Sequence, residues 1–247
     1  MKEITLQFIG SGDAFGSGGR FQTCFYVESE NTKFLIDCGA SSLVALKKAG
    51  IRTDEIDVIV LSHLHGDHFG GVPFLLLENW HLHRRTRPLI IAAPQSARHK
   101  IERALEVFFP GAALDKMSYP VEFVRYKGGK ETTAGDLKIT PYPVIHSEGS
   151  NPYGVRIECE GKTIAYSGDT EWTDNLLLLA RDADVFICEM YAFEKGIKNH
   201  MVYQKYLEYK SRFTCRRFIM THMGDEMLAR LGEVDTEYAE DGKKIVV

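Results

Sequence analysis

The chain has 247 residues, with 30 lysines and arginines against 34 aspartates and glutamates, which gives a formal net charge of −4. Its 44% hydrophobic and 26% charged residues are ordinary for a soluble globular protein, and the length is enough for a sizeable core. The negative balance argues against a broad basic surface for nucleic acid, although it is compatible with local basic patches. We expect a single domain over residues 1–247.

The five cysteines are scattered along the chain, and none forms a C-x-x-C pair. Several fall within apolar, strand-like runs, so we interpret them as buried thiols. The first ten residues are too short and too polar for a signal peptide, and no apolar run approaches the length that spans a membrane. We therefore expect a cytoplasmic protein without a membrane partner.

Residues 3–9 alternate between polar and apolar side chains and predict a first strand. The loop that follows, residues 10–19, is rich in glycine, which permits backbone conformations that other residues resist. No G-K-[ST] sequence follows, so this is not a phosphate-binding P-loop. Two interpretations stay open: a loop at the rim of a binding site and a plain flexible connector.

The remaining elements follow from apolar periodicity and turn residues. The predicted strands are 23–27, 33–36, 58–61, 88–93, 121–126, 137–144, 154–159, 162–166, 185–188 and 218–220. The predicted helices are 41–50, 72–77, 96–109, 174–181, 199–210 and 225–231, and the acidic tail after Gly232 is expected to pack loosely as far as Ile245. This order predicts an α+β fold, an αββα sandwich of two mixed β-sheets with helices on the outer faces.

The stretch 57–71, DVIVLSHLHGDHFGG, concentrates the chemistry of the chain. A short apolar strand leads into His63 and His65, whose spacing of two points both imidazoles to the same side of an extended backbone. Gly66 then lets the chain turn and present Asp67 and His68. Imidazole and carboxylate groups are ligands for zinc, manganese or iron, and two adjacent ligand pairs indicate two adjacent metals. The alternative is a solvated histidine-rich loop.

Three further candidate ligands each follow a predicted strand. His146 comes after Pro143-Val144-Ile145, Asp169 after the strand 162–166, and His222 after the strand 218–220. Each alone is more typical of a structural residue. Together with the four donors of the stretch 57–71 they supply seven ligands, which is enough for two metals with Asp169 bridging.

The pattern H-x-H-x-D-H, followed by a distal His, an Asp and a last His, resembles the signature of the metallo-β-lactamase fold. Within that superfamily the chain looks most like ribonuclease Z and its small phosphodiesterase relatives. The resemblance rests on residues 8–15, 37–39, 61–71, 165–170 and 219–222. It implies one metal on His63, His65 and His146, a second on Asp67, His68 and His222, and a bridge through Asp169, with a hydroxide between the ions.

Similar enzymes carry an acidic residue and a histidine that serve the leaving group, and here these positions correspond to Glu189 and His200. Glu189 ends a predicted strand, and His200 begins the predicted helix 199–210. The relatives usually have a small hydroxyl residue after this histidine, whereas here Met201 follows. A packing or helix-capping role for His200 is the alternative.

Two features bear on the substrate. The tRNA-processing relatives carry a long Gly/Pro-rich arm between the counterparts of His146 and Asp169, whereas only 22 residues separate them here. The run 80–87, WHLHRRTR, is basic and aromatic, and both a phosphate- or base-binding role and a solvated loop stay open. His81 and His83 have no following carboxylate, so we do not count them as ligands.

These features predict a phosphodiesterase with two divalent metal ions, zinc first and manganese or iron as alternatives. We expect a small or cyclic phosphodiester or a short nucleic acid as substrate. Asp67 or Asp169 is expected to orient the attacking hydroxide, and His200 with Glu189 to attend the departing oxygen. The alternatives are a lactonase or thioesterase, a tRNA 3′-processing endonuclease, which the missing arm disfavours, and a non-catalytic module. The sequence leaves open whether the chain forms a homodimer.

Overall fold

The computed structural model describes residues 3–247, which contain two β-sheets. The first sheet has the order β13-β1-β2-β3-β4-β5-β6. Its strands are β1 (Thr5–Gly10), β2 (Cys24–Glu28), β3 (Lys33–Ile36), β4 (Val58–Val60), β5 (Leu89–Ala93), β6 (Val121–Arg125) and β13 (Lys244–Val246). The pairs from β3 to β6 are parallel and the others antiparallel.

The second sheet has the order β12-β11-β10-β9-β8-β7. Its strands are β7 (Thr132–Ala134), β8 (Leu137–Pro143), β9 (Tyr153–Cys159), β10 (Lys162–Tyr166), β11 (Val185–Glu189) and β12 (Phe218–Thr221). The pairs β10–β11 and β11–β12 are parallel. Each sheet therefore has parallel strands whose carboxyl ends can present side chains at one edge.

The helices are α1 (Ser42–Lys48), α2 (Gly66–Phe69), α3 (Val72–His81), α4 (Ala97–Phe108), α5 (Asn175–Ala180), α6 (Tyr203–Tyr209) and α7 (Asp225–Ala229). One apolar core joins the facing sides of the two sheets, for example Phe25 and Tyr166, whose rings meet edge to face at 5.2 Å. A second core lies between the first sheet and α1, α3 and α4, and a third between the second sheet and α5, α6 and α7. The predicted αββα sandwich is confirmed.

Two sequence-based expectations are wrong in ways that matter for the site. The helix predicted over 199–210 begins only at Tyr203, so His200 lies in the loop before it. Asn199 adopts a left-handed conformation with φ of 71°, which a helix cannot accommodate.

The tail after Gly232 is not loosely packed. Glu237 and Ala239 exchange backbone hydrogen bonds with Met220 of β12 at 2.8 and 2.7 Å, and β13 pairs with β1. The carboxylate of Asp241 accepts the backbone N–H groups of Ser11 and Phe21 at 2.8 and 2.7 Å. The backbone of this segment thus pairs with both sheets, and the carboxylate of Asp241 binds the glycine-rich loop.

Four of the five cysteines are buried and Cys215 is half-buried, as the apolar context predicts. The short strand β7 has no counterpart among the predicted elements. Among residues 3–247, no helix combines the length and the apolar character needed to cross a bilayer.

Candidate metal centre

The seven predicted donors all follow the ends of strands and meet at one edge of the sandwich. The strand β4 leads into the donors of the stretch 57–71, β8 into His146, β10 into Asp169 and β12 into His222. The loop after β3 packs tightly against this stretch, since a Cβ at Gly39 would lie 2.3 Å from the carbonyl oxygen of Asp67. Only glycine fits at this short distance, so Gly39 allows the loop after β3 to pack directly on the backbone of the donor stretch.

The donor atoms form two groups, within each of which they lie no more than 4.8 Å apart. The first, the histidine group, consists of His63, His65 and His146. The second, the carboxylate group, consists of Asp67, His68, Asp169 and His222. The structure therefore brings together all seven residues in the division that the resemblance implies.

Asp169 lies between the two groups. Its Oδ1 is 3.3 Å from His68 Nε2, and its Oδ2 is 3.4 Å from His222 Nε2. On the other side, Oδ2 is 3.8 Å from His63 Nε2 and 3.9 Å from His146 Nε2. One carboxylate thus reaches both groups, which is the position a bridging ligand needs.

The spacing of the donors is that of a metal site. Ligand atoms about 2.0–2.1 Å from one tetrahedral ion lie about 3.3 Å from each other. His65 Nδ1 and His146 Nε2 are 3.0 Å apart, and Asp67 Oδ2 and His222 Nε2 are 3.2 Å apart. Each group is therefore compact enough to surround one ion.

Three of these atoms are buried and lack a hydrogen-bond partner, namely His63 Nε2, His68 Nε2 and Asp169 Oδ1. A buried polar atom without a partner costs about 1–3 kcal/mol and is uncommon in native proteins. A divalent cation between these atoms would satisfy them. The residues present thus fit the metal ions that their chemistry predicts.

Asp37 orients histidines of both groups, and the sequence analysis gave it no role. Its Oδ2 lies 2.7 Å from His68 Nδ1 and accepts the hydroxyl of Ser62 at 2.6 Å. The oxygen of that hydroxyl is 3.0 Å from His63 Nδ1 and accepts the N–H there. With Nδ1 of both imidazoles engaged, Nε2 remains available to a metal ion, and hydrogen bonds of this kind fix the tautomer of a ligating histidine.

His146 is oriented by a backbone group instead. Its Nδ1 lies 2.8 Å from the carbonyl oxygen of Asn199, and the backbone N–H of Asn199 donates to Glu171 Oε1 at 2.6 Å.

Three residues of the site have an uncommon backbone conformation. Asn199, Asp37 and His222 have positive φ values of 71°, 57° and 56°. Such conformations are uncommon for residues other than glycine and are concentrated at functional sites.

Negative charge is concentrated around His68. Burial alone would lower the pKa of this imidazole, but the carboxylates of Asp169, Asp67 and Asp37 outweigh burial and raise it well above its usual range. Burial would likewise raise the pKa of Asp67, yet His68 and His222 hold it below its usual range. The carboxylate group is therefore a buried anionic pocket suited to a cation.

Glu189 and His200 form a pair beside the seven candidate donors. Glu189 is fully buried, its Oε2 lies 3.2 Å from His200 Nδ1, and its Oε1 accepts the backbone N–H of Thr170. Burial and then the charge of Asp169 raise the pKa of Glu189 well above its usual range, whereas burial lowers that of His200. The donor atoms of His200 lie within 4.8 Å of those of Asp169 and His146.

The glycine-rich loop and the run 80–87, which the sequence also singles out, differ in whether they contact the site. The glycine-rich loop contacts the site, since Ser11 O accepts the backbone N–H of His222 at 3.0 Å. In the run 80–87, Arg85 donates to the carbonyl oxygens of Asp54 and Pro88, and Arg87 pairs with Asp57. These two guanidinium groups hold the start of β5 in place, which supports a structural role for the run.

A sequence model of the family described as anti-Pycsar protein Apyc1 matches residues 4–241 of the chain. Ribonuclease Z from Ignicoccus hospitalis is 31% identical over 164 residues, which are 66% of this chain and 51% of that protein. The chain thus matches about half the length of this relative. The anti-Pycsar protein Apyc1 from Saccharibacillus brassicae is 28% identical over 185 residues, which are 74% of each chain.

Among solved structures, the metallo-β-lactamase fold protein YhfI from Bacillus subtilis superposes with a TM-score of 0.80. It is 20% identical in sequence, and the superposition covers 100% of both chains. At this identity the likeness concerns the fold alone. It confirms that the αββα sandwich is a metallo-β-lactamase fold.

Proposed function

We propose that the chain, which belongs to the family described as anti-Pycsar protein Apyc1 and has the metallo-β-lactamase fold, is a metal-dependent hydrolase, namely a phosphodiesterase that uses two divalent metal ions. The histidine group holds one ion and the carboxylate group the other, with Asp169 shared between them. Zinc suits these donors best, and manganese or iron are the alternatives. When bound, two such ions lower the pKa of a water molecule and neutralise charge on phosphoryl oxygens.

The pair formed by His200 and Glu189 is the observation that carries this proposal. The buried Glu189 carboxyl, whose raised pKa favours its protonated form, hydrogen-bonds Nδ1 of His200, so that the N–H of the neutral imidazole lies on Nε2, available to a substrate held at the seven donors. The proton of Glu189 passes to Nδ1 when Nε2 gives its own away. A proton given from Nε2 stabilises an alkoxide as it leaves, and that is the difficult part of cleaving an alkyl phosphodiester. A thiolate leaves without such help, so the pair favours an ester over a thioester.

Asp67 has a second role in this proposal. Its Oδ2 lies 3.2 Å from both His68 Nε2 and His222 Nε2, and burial by its neighbours keeps the carboxylate in one orientation. A carboxylate fixed in this way accepts a hydrogen bond from the attacking water and aligns it with phosphorus.

Two observations support a small or cyclic phosphodiester or a short oligonucleotide as the substrate. Several relatives are named ribonuclease Z, and RNA is a phosphodiester chain. Between His146 and Asp169, however, the chain forms only a single helical turn and the β9–β10 hairpin of the second sheet. Without a projecting arm in residues 147–168, the body of a tRNA has no grip there.

The test replaces His200 by Gln and compares two phosphodiesters, one with a p-nitrophenolate leaving group and one with an alkoxide leaving group. Loss of a general acid should slow the alkoxide substrate about 10²–10⁴-fold. The p-nitrophenyl substrate, which needs little protonation, should be much less affected. Metal content and melting temperature are measured on the same preparations.

Equal loss on both substrates, or loss of bound metal, would return His200 to a structural role. A panel of lactones and thioesters assayed alongside decides the reaction class. Faster turnover of a lactone or thioester than of any phosphodiester would replace the proposed function by one of those activities.

A further inference from the structure

His222 is held in place differently from the other histidines of the candidate site. The rings of His63, His68 and His146 each have Nδ1 within hydrogen-bonding distance of an oxygen atom, at 3.0, 2.7 and 2.8 Å. Nδ1 of His222 is buried and has no hydrogen-bond partner in the part of the chain that the structure describes. The position of this imidazole therefore depends on the backbone that carries it.

The backbone of His222 is held by the glycine-rich loop. Its positive φ of 56° is unfavourable for a residue other than glycine, so surrounding contacts must maintain it. Ser11 supplies them, because its carbonyl oxygen accepts the backbone N–H of His222 at 3.0 Å and the hydroxyl of Thr221 at 3.3 Å. A displacement of Ser11 would thus free the end of β12 and move the imidazole away from the other donors of the carboxylate group.

Asp241 in turn holds Ser11. Its Oδ1 accepts both the backbone N–H and the hydroxyl of Ser11 at 2.8 Å, and its Oδ2 accepts the backbone N–H of Phe21 at 2.7 Å. Ser11 lies near the start of the glycine-rich loop and Phe21 just after its end, and the N–H of Gly12 donates to the carbonyl oxygen of Phe21 at 2.8 Å. A single carboxylate therefore closes the base of the loop.

The segment that carries Asp241 is fixed to both sheets. The backbone N–H of Ala239 donates to the carbonyl oxygen of Met220 in β12 at 2.7 Å. The backbone N–H of Gly242 donates to the carbonyl oxygen of Phe8 in β1, also at 2.7 Å. The residues on either side of Asp241 thus hold its carboxylate at the junction of the two sheets.

We propose that Asp241 is a positioning residue of the metal centre and acts through Ser11 on His222. The hydrogen bonds of its carboxylate go to the base of the loop and not to the seven donors. The inference rests on the proposed function in so far as that function requires an ion in the carboxylate group. It gives the glycine-rich loop a role in supporting the site, in place of that of a plain flexible connector.

The first experiment compares Asp241→Asn with Glu240→Gln in zinc titrations. The amide keeps one acceptor oxygen and places an NH2 group where the second oxygen accepted an N–H, so one side of the loop base opens. Loss of a residue that orients a ligand costs about 10- to 100-fold in metal affinity, and about tenfold is expected here because Asp241 acts through a backbone group. Only the site of the carboxylate group should weaken. Glu240→Gln removes the same charge from the exposed neighbouring side chain and should leave both affinities unchanged.

The second experiment tests whether the effect passes through His222. In a His222→Ala background, where three donors of the carboxylate group remain, Asp241→Asn should lower its zinc affinity no further, because two changes on one route are not additive. A role in folding alone would lower the affinity by the same factor in both backgrounds. Cobalt(II) in place of zinc gives visible absorption bands that depend on the coordination geometry. Asp241→Asn should change these bands at saturating metal, and Glu240→Gln should not.

Unchanged zinc affinities and an unchanged cobalt spectrum in Asp241→Asn would overturn the inference while leaving the metal centre intact. Equal weakening of both sites, or equal weakening with and without His222, would do the same. If Asp241→Asn does not fold, Ser11→Ala removes only the hydroxyl that donates to Asp241 and should weaken the same site about two- to fivefold. No weakening in that variant would also overturn the inference.

Failure of the proposed function gives a different result. Wild-type protein that binds zinc at both sites but hydrolyses no phosphodiester would remove the proposed activity and leave the role of Asp241 to be decided by the titrations and the cobalt spectrum. Wild-type protein that binds no zinc, manganese or iron would remove both proposals.

Discussion

The histidine group and the carboxylate group share one edge of the sandwich but differ in charge and exposure. All four members of the carboxylate group are buried, and two of them are anionic. The histidine group contains only imidazoles, and His65 is half-buried. Two carboxylates attract a divalent cation through their charge, whereas neutral imidazoles attract it only as ligands, so the carboxylate group should bind its ion more tightly. The two proposed metals should therefore be held unequally.

The hydrogen bonds that orient the histidines also favour the carboxylate group. Asp37 reaches His68 directly, whereas it reaches His63 only through the hydroxyl of Ser62. Burial lowers the pKa of His63 well below its usual range, which favours its neutral form. We therefore expect a chelator to remove the ion of the histidine group first, and the ion of the carboxylate group to stabilise the fold.

The largest effect is expected from removing the metals. Stepwise dialysis against a chelator should release one ion per chain first and abolish activity, with little change in melting temperature. Release of the second should destabilise the fold, because a ligand present at about 1,000 times its Kd contributes about 4 kcal/mol. Elemental analysis, activity and thermal unfolding are followed on the same samples. Loss of both ions at one chelator concentration, or preparations without tightly held metal, would contradict the comparison.

Substitution of one histidine in each group should affect the melting temperature unequally. His68→Ala should leave about one ion per chain, lower the melting temperature and reduce activity roughly 10³-fold, which corresponds to about 4 kcal/mol of transition-state stabilisation. His65→Ala should also lose one ion but leave the melting temperature closer to that of the wild type, since a half-buried neutral ring is removed. The comparison is wrong if the His65 variant is the less stable of the two.

A smaller effect is expected from Asp37→Asn. This change replaces a carboxylate that accepts three hydrogen bonds by an amide with only one acceptor oxygen. Substitution of such an orienting residue typically costs about 10- to 100-fold in metal affinity or activity. Titration with zinc should show that the tighter site weakens more than the other. An equal effect on both sites would mean that Asp37 supports the loop and not His68.

The smallest effect is expected from Ser62→Ala, which removes the hydroxyl between Asp37 and His63 and leaves the direct contact with His68. A net hydrogen bond of about 1 kcal/mol corresponds to roughly fivefold in affinity. Only the weaker site should change in a zinc titration. A change confined to the tighter site would reverse the assignment of the two groups.

The sequence predicts those parts of the site whose donors are close in the chain or follow apolar strands. His63, His65, Asp67 and His68 lie within six residues after β4, and β8, β10 and β12 mark the places of the distal donors. Because the ends of neighbouring strands meet, donors far apart in the chain can be expected at one edge. The order of the strands likewise predicts the two-sheet fold.

Other contributions could not be predicted, because they depend on backbone geometry or on distant contacts. Asp37 lies 31 residues before His68, and its positive φ leaves no trace in the local pattern. Asn199 acts through its carbonyl oxygen, which every residue type possesses. The acidic composition of the tail predicts a loose segment, because nothing local shows that the partners of Asp241 lie 220 and 230 residues earlier.

The loop from residue 194 to 200 limits how the substrate selectivity of this protein can change. Its first part, with Glu194, Ile197 and Lys198, lines a cavity of about 630 Å³, whereas its last two residues contact residues of the candidate site, Asn199 through His146 and His200 through Glu189. Evolution or a designer that reshapes the loop for another substrate must keep the carbonyl oxygen of Asn199 where it is, or metal retention falls as selectivity shifts. Mutational libraries aimed at new substrates should therefore vary residues 194–198 and keep 199 and 200 fixed.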